Sequence, residues 1–190
     1  MSVLEAWLFE ATKVLLAPVV AALLILAVFA LVALGGFIRE ALDRRVVAAW
    51  GRGADAVTVE GLVSLGAEGG LPGLWRVFAQ ALPRAGADGA ATDCELAAAR
   101  RVSRLNLVAR AGPTLGLMAT LIPMGPALLA LADDDVAGLA RSLAVAFTAT
   151  VCGLFIGLVC AAMASVRRHW YTADLARMDE LVTRLAGERP

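Results

Sequence analysis

Two threonines stand among small, uncharged neighbours at spacings that could do chemistry. Thr120 closes the series Gly112, Gly116, Thr120, at steps of four, and Thr150 lies within Ala146, Thr150, Gly153, Gly157, Ala161, at steps of four, three, four and four. Residues so spaced share one helix face, so each helix presents a stripe nearly free of bulk that carries one hydroxyl. A hydroxyl both donates and accepts a hydrogen bond, which suits it to line a route for a small ion. Small faces also let membrane helices approach closely, and Gly153 with Gly157 is a GxxxG pair. Helix packing alone accounts for the stripes equally well.

The ion reading is defined by what the surrounding runs lack. Residues 14–38, 111–132 and 142–166 contain no Asp, Glu, Lys, Arg or His, although a route through a bilayer normally needs an ionisable group facing its interior. Any titratable group must therefore come from a second polypeptide. Pro113, Pro123 and Pro126 each remove a helical hydrogen bond, which predicts a kinked helix beside a partly wet cavity. Other chemistries find no support. Cys94, Cys152 and Cys160 form no spaced set; Cys94 falls in the reducing compartment, and the other two, in one span, read as small apolar packing residues. No metal-ligand cluster, phosphate-binding loop or nucleophile with a nearby base is visible, so neither an enzyme nor a cofactor is expected. His169, the only histidine, sits beside Arg168 and Trp170 and reads as an interfacial anchor.

The elements that carry these residues follow from composition. Of 190 residues, 60% are hydrophobic and 18% charged, far from the balance of a soluble domain. Each uncharged run exceeds the roughly 20 residues that span about 30 Å of hydrocarbon. The expectation is an all-α integral membrane protein with three transmembrane helices. The first run is longer than a signal-peptide core and follows Glu5 and Glu10, so it reads as an uncleaved span. It lacks a small-residue face and is expected against lipid. Arg39, Arg44, Arg45 and Arg52 follow the first span, Arg100, Arg101, Arg104 and Arg110 precede the second, and Arg167 and Arg168 follow the third. The positive-inside bias then places the N-terminus outside and the C-terminus inside. The 17 basic and 17 acidic residues cancel, so no overall field recruits nucleic acid.

This divides the chain into an extracytoplasmic amphipathic helix (1–13), spans at 14–38, 111–132 and 142–166, a cytoplasmic segment (39–110), an outer loop (133–141) and a cytoplasmic C-terminal helix (167–190). Within the cytoplasmic segment, glycines and prolines leave room for short helices over Val57 to Leu65 and Leu74 to Leu82. Thr92 and Glu95 form a capping box that predicts a fresh helix start. Tyr171, Leu175, Met178, Val182 and Leu185 repeat at steps of four and three, as in a coiled-coil seam packing on like helices or within the chain.

The stretch Gly112-Pro113-Thr114-Leu115-Gly116-Leu117-Met118-Ala119-Thr120 resembles the Pro-x-x-Gly-Leu-x-Gly-Thr motif of the MotA/TolQ/ExbB proton-channel family. Ala146-Phe147-Thr148-Ala149-Thr150-Val151-Cys152-Gly153-Leu154 is similar to that family's Ala-Leu-x-x-Thr-Ala-x-Gly-Leu. The resemblance implies a homo-oligomeric ring, a pentamer, in the inner membrane, surrounding the helices of a dimeric single-pass partner like ExbD, TolR or MotB. That partner's aspartate would carry the proton, and Thr120 and Thr150 would line the inner face of the ring. Ala119 and Pro123 replace family glycines, Val159 a proline, and Val145 a glutamate frequent in two branches, which leaves the partner's aspartate as the only carboxylate near the path. The competing expectation is a structural membrane scaffold that oligomerises through the same faces. Threonine hydroxyls suit H⁺ and Na⁺ alike.

Overall fold

The structure, a computed structural model, describes residues 3–50, 71 and 73–187, with side chains for 14–44, 71 and 73–183. Among them stand three helices, α1 (Val3–Trp50), α2 (Gly73–Ala132) and α3 (Val136–Gly187). Each contains a segment long and apolar enough to cross a membrane, making this a multi-pass, all-α membrane protein. The proposed helix over 57–65, the side chains of 1–13 and that of Leu185 lie outside the described residues. The backbone of residues 3–13 continues into the first span without a break.

Helix α2 differs from its sequence-based outline. It is two helical stretches joined at a break, Gly86 (φ 71°, ψ −177°); the first holds the helix expected over 74–82 and folds back on the second, with the Cys94 thiol 3.5 Å from the Leu74 carbonyl. Thr92 is therefore no N-cap: its hydroxyl donates to the Asp88 carbonyl four residues back, 3.1 Å away, a bond that Thr makes inside helices. The dihedrals at Pro113, Pro123 and Pro126 stay helical. Pro113 frees the Ala109 carbonyl, and that oxygen lies 3.0 Å from where a Cβ on Gly157 of α3 would stand. A neighbouring helix thus covers the group that proline leaves without a donor.

The α2–α3 connection is a tight turn. Asp134 takes a left-handed φ of 57°, and Asp135 accepts from the Gly138 amide at 2.9 Å, capping the start of α3.

The chain divides into two compact units: Met1–Ala33 with Leu105–Ala162, and Leu34–Arg104 with Met163–Pro190. In the first, Val19 and Leu23 of α1 pack on Ala119 and Ile122 of α2, with Leu115 and Ala149 alongside; most other α1 side chains there are exposed. In the second, Tyr171 and Met178 of α3 pack on Leu74, Phe78, Ala90, Cys94 and Ala98 of α2, flanked by Leu175 and Val182. The α3 seam is thus satisfied within the chain.

Candidate ion path

In the first unit the glycine stripes face each other at backbone distance. A Cβ on Gly153 would lie 2.5 Å from the Gly112 carbonyl oxygen, one on Gly112 2.7 Å from the Gly153 carbonyl oxygen, and one on Gly157 2.6 Å from the Pro113 ring. Gly116 packs less tightly, its Cβ position 3.3 Å from the Thr150 Cα and 3.5 Å from the Gly153 Cα; at the other three positions the approach is closer. Only glycine permits this approach, because any side chain would meet backbone that cannot step aside. Ala146 is buried at the edge of the contact, whereas Ala161 is exposed.

The threonine hydroxyls occupy one side of this seam. Thr150 Oγ1 is 3.0 Å from the Gly116 carbonyl across the helix pair and 3.2 Å from Ala146 O on its own helix. Thr120 Oγ1 donates to Leu117 O at 2.7 Å. At about 100° per residue, Leu115, Ala119 and Ile122 fall on one shoulder of the α2 stripe, and Thr120, Leu117 and Met124 on the other. On α3, Ala149 falls on the first shoulder and Thr150, Leu154, Leu158 and Ala161 on the second. Helix α1 covers the first shoulder through Val19 and Leu23. The second is open: Leu117, Met124, Leu154 and Leu158 are all exposed. Two other span hydroxyls, Thr114 and Thr148, bond only to carbonyls of their own helices and point away from the seam.

The face holding Thr120 and Thr150 is therefore an apolar strip with two oxygen atoms on it. Each threonine has one hydroxyl proton, directed at a backbone carbonyl, so what it offers to the open side is lone pairs. The strip can accept a hydrogen bond or lend oxygen to a cation. It has no group of its own to titrate. Among the described residues, no cluster of His, Cys, Asp or Glu could hold a metal ion.

The second unit holds a feature that sequence reasoning missed, a buried charge cluster. Glu40 and Asp174 are both buried. Arg44 of α1 grips both oxygens of Asp174, one at 3.2 Å, and Trp75 Nε1 donates to Asp174 at 3.3 Å. Arg167 Nε lies 3.2 Å from Glu40 Oε2, a charge contact without hydrogen-bond alignment, and the Tyr171 hydroxyl donates to the same oxygen at 3.4 Å. Phe37 stacks on Trp170 at 5.2 Å, and the Arg44 guanidinium lies 4.9 Å from the Trp170 ring centre. The available signal was the pairing of Glu40 and Arg44 at i, i+4 with Arg167, Tyr171 and Asp174 at steps of four and three. Arg44 and Arg167 carry weight in the sequence only as topogenic charge, and nothing local marks Glu40 or Asp174 as buried. Nearby, Cys94 is buried with its thiol 3.5 Å from the Leu74 carbonyl. Burial, aided by the Asp93 charge, pushes that thiol up to about 11.

Compared with curated proteins, the sequence has no match. The profile of the MotA/TolQ/ExbB proton channel family matches residues 84–180, 97 of the 190 residues, a stretch that includes both glycine stripes and both threonines. The chain belongs to the MotA/TolQ/ExbB proton channel family.

Proposed function

We propose that the chain is the channel-forming stator subunit of a membrane motor driven by the proton-motive force. In this reading it is an inner-membrane protein, N-terminus out and C-terminus in. Five copies form a ring around the paired transmembrane helices of a single-pass partner of the ExbD, TolR or MotB kind. The observation that carries the proposal is the placement of Thr120 and Thr150 on the open shoulder of the glycine seam, opposite the shoulder that α1 covers.

That shoulder suits a partner helix bearing a carboxylic acid. The protonated acid donates to a threonine lone pair while the rest of the partner helix rests on Leu117, Met124, Leu154 and Leu158. No step requires a charge from this chain inside the bilayer, where a fixed charge is costly. The ion passes as a neutral acid, or as a cation held by carboxylate and hydroxyl oxygens together. Proton passage through the partner's acid then drives rotation or another relative movement between ring and partner.

The scaffold reading loses support because the glycine stripes are occupied within one chain, leaving no small-residue stripe of that pair free to assemble copies.

The test is flux in cells expressing the chain with its partner. A hydrogen bond is worth about 0.5–1.5 kcal/mol, so Thr120→Ala with Thr150→Ala should reduce flux by about an order of magnitude, with Thr→Ser at both positions restoring most of it. Full flux in the double alanine variant contradicts the assigned path.

A further inference from the structure

We propose that the charge quartet of buried Glu40 and Asp174 with half-buried Arg44 and Arg167 is a register lock that fixes the axial position of α1 against α3. The inference stands apart from the ion path and concerns only the unit formed by Leu34–Arg104 and Met163–Pro190.

Helix α1 needs such a device. Its span is mostly Leu, Val, Ala and Ile, its two glycines, Gly35 and Gly36, are adjacent and form no stripe to seat a neighbour, and it packs on α2 and α3 through the apolar cluster of Val19 and Leu23. A greasy helix in lipid can move along its axis by one turn and find nearly equivalent packing, because lipid and leucine are alike as surroundings. Register must then be set where the alternatives differ sharply in energy.

The quartet does this. The contacts run in parallel order: Gly36 and Phe37 at Arg167, Glu40 at Arg167 and Tyr171, Arg44 at Trp170 and Asp174. The acid precedes the base on α1, and the base precedes the acid on α3. Sliding α1 one turn forward brings Glu40 against Asp174; sliding it one turn back brings Arg44 against Arg167. Either slip sets like charges together in a site where Glu40 and Asp174 are 8% and 3% exposed, so repulsion is weakly screened and the abandoned partners are left buried and unpaired. Gly73 adds a stop. Its φ is +51°, and Glu40 Oε1 lies 2.6 Å from where its Cβ would be, so the first residue of α2 is moulded to the carboxylate in its native position. Replacing buried ion pairs with apolar residues often leaves stability unchanged, which marks specificity of position, and not net stability, as what the quartet supplies.

The experiment reads register directly. In a chain with Cys94, Cys152 and Cys160 replaced by alanine, Ala33→Cys, Phe37→Cys or Ala41→Cys is combined in turn with Trp170→Cys and bridged in native membranes by a short bis-maleimide. In the otherwise native chain, bridging concentrates on position 37. With all four charges made apolar (Glu40→Leu, Arg44→Met, Arg167→Met, Asp174→Leu), it spreads to 33 or 41, a shift of one turn. With the charges inverted (Glu40→Arg, Arg44→Asp, Arg167→Glu, Asp174→Arg), it returns to 37. Bridging that stays at 37 in the apolar quartet overturns the lock, as does bridging that spreads in the inverted one. Should the apolar quartet fail to insert, the inverted quartet decides the matter by the same criterion.

Discussion

At Gly153 an added methyl would meet the Gly112 carbonyl oxygen at 2.5 Å. Ala161, two turns along the same helix, is exposed. Overpacking of this kind costs about 1–3 kcal/mol, so Gly153→Ala should lower the thermal midpoint of the purified protein, while Ala161→Leu should change its stability by less than about 0.5 kcal/mol, as exposed substitutions do, and leave the midpoint nearly in place. Equal effects at the two positions contradict the seam. Cys94 gives a second residue-level test. The fold favours its neutral thiol, so the stability that this group contributes is fully present below its ordinary value of 9.0 and is lost as pH rises through about 11. A thiolate-selective maleimide at neutral pH should therefore leave Cys94 unlabelled in the folded protein and modify it after denaturation in detergent. The glycine and threonine stripes were legible in the sequence because helical period and residue size determine a small face without reference to the rest of the fold. Which partner the face meets was not, since periodicity marks a stripe and leaves open whether the same chain or a copy fills it.

Among the helices, α2 is the element whose outline depends most on a single residue. Gly86 has a left-handed φ of 71° with an extended ψ, and open space where a Cβ would go. The cost of a side chain there is backbone strain alone, about 1–3 kcal/mol for a conformation essentially restricted to glycine. Gly86→Ala should destabilise by that amount in a denaturation series, and an unchanged midpoint means that the break is not needed. Sequence alone shifts the start of the helix to Thr92 because Thr and Glu three apart fit a capping box. The same threonine serves as well inside a helix, and only the Asp88 carbonyl above it distinguishes the two. The α3 seam was likewise legible as a period of four and three, but Leu74, Phe78 and Cys94, which fill it, lie far back in the chain, before the second span. The charge quartet belongs here too. Arg44→Met leaves Asp174 buried without its cation and should cost about 3–5 kcal/mol, followed through the fluorescence of Trp75 and Trp170, and Arg44→Met with Asp174→Leu should recover most of that loss. A double variant no more stable than the single one contradicts the pairing.

For the whole molecule, the decisive property is an incompleteness. Three membrane-length helices supply a glycine-tight hairpin, a third helix on one shoulder and two hydroxyls on the other, with no Asp, Glu, Lys, Arg or His in residues 14–38, 111–132 or 142–166. Membership of the proton channel family supports a role in ion movement, and the path proposed above takes its titrating group from another chain. The measurement that tests this most directly is proton uptake into vesicles carrying a pH-sensitive dye under an imposed potential. One preparation contains the chain alone, and the other contains the chain co-purified with a single-pass partner bearing a membrane aspartate. The account predicts background leak from the chain alone and flux with the partner that disappears when its aspartate is changed to asparagine. Flux from the chain alone that matches the complex contradicts it.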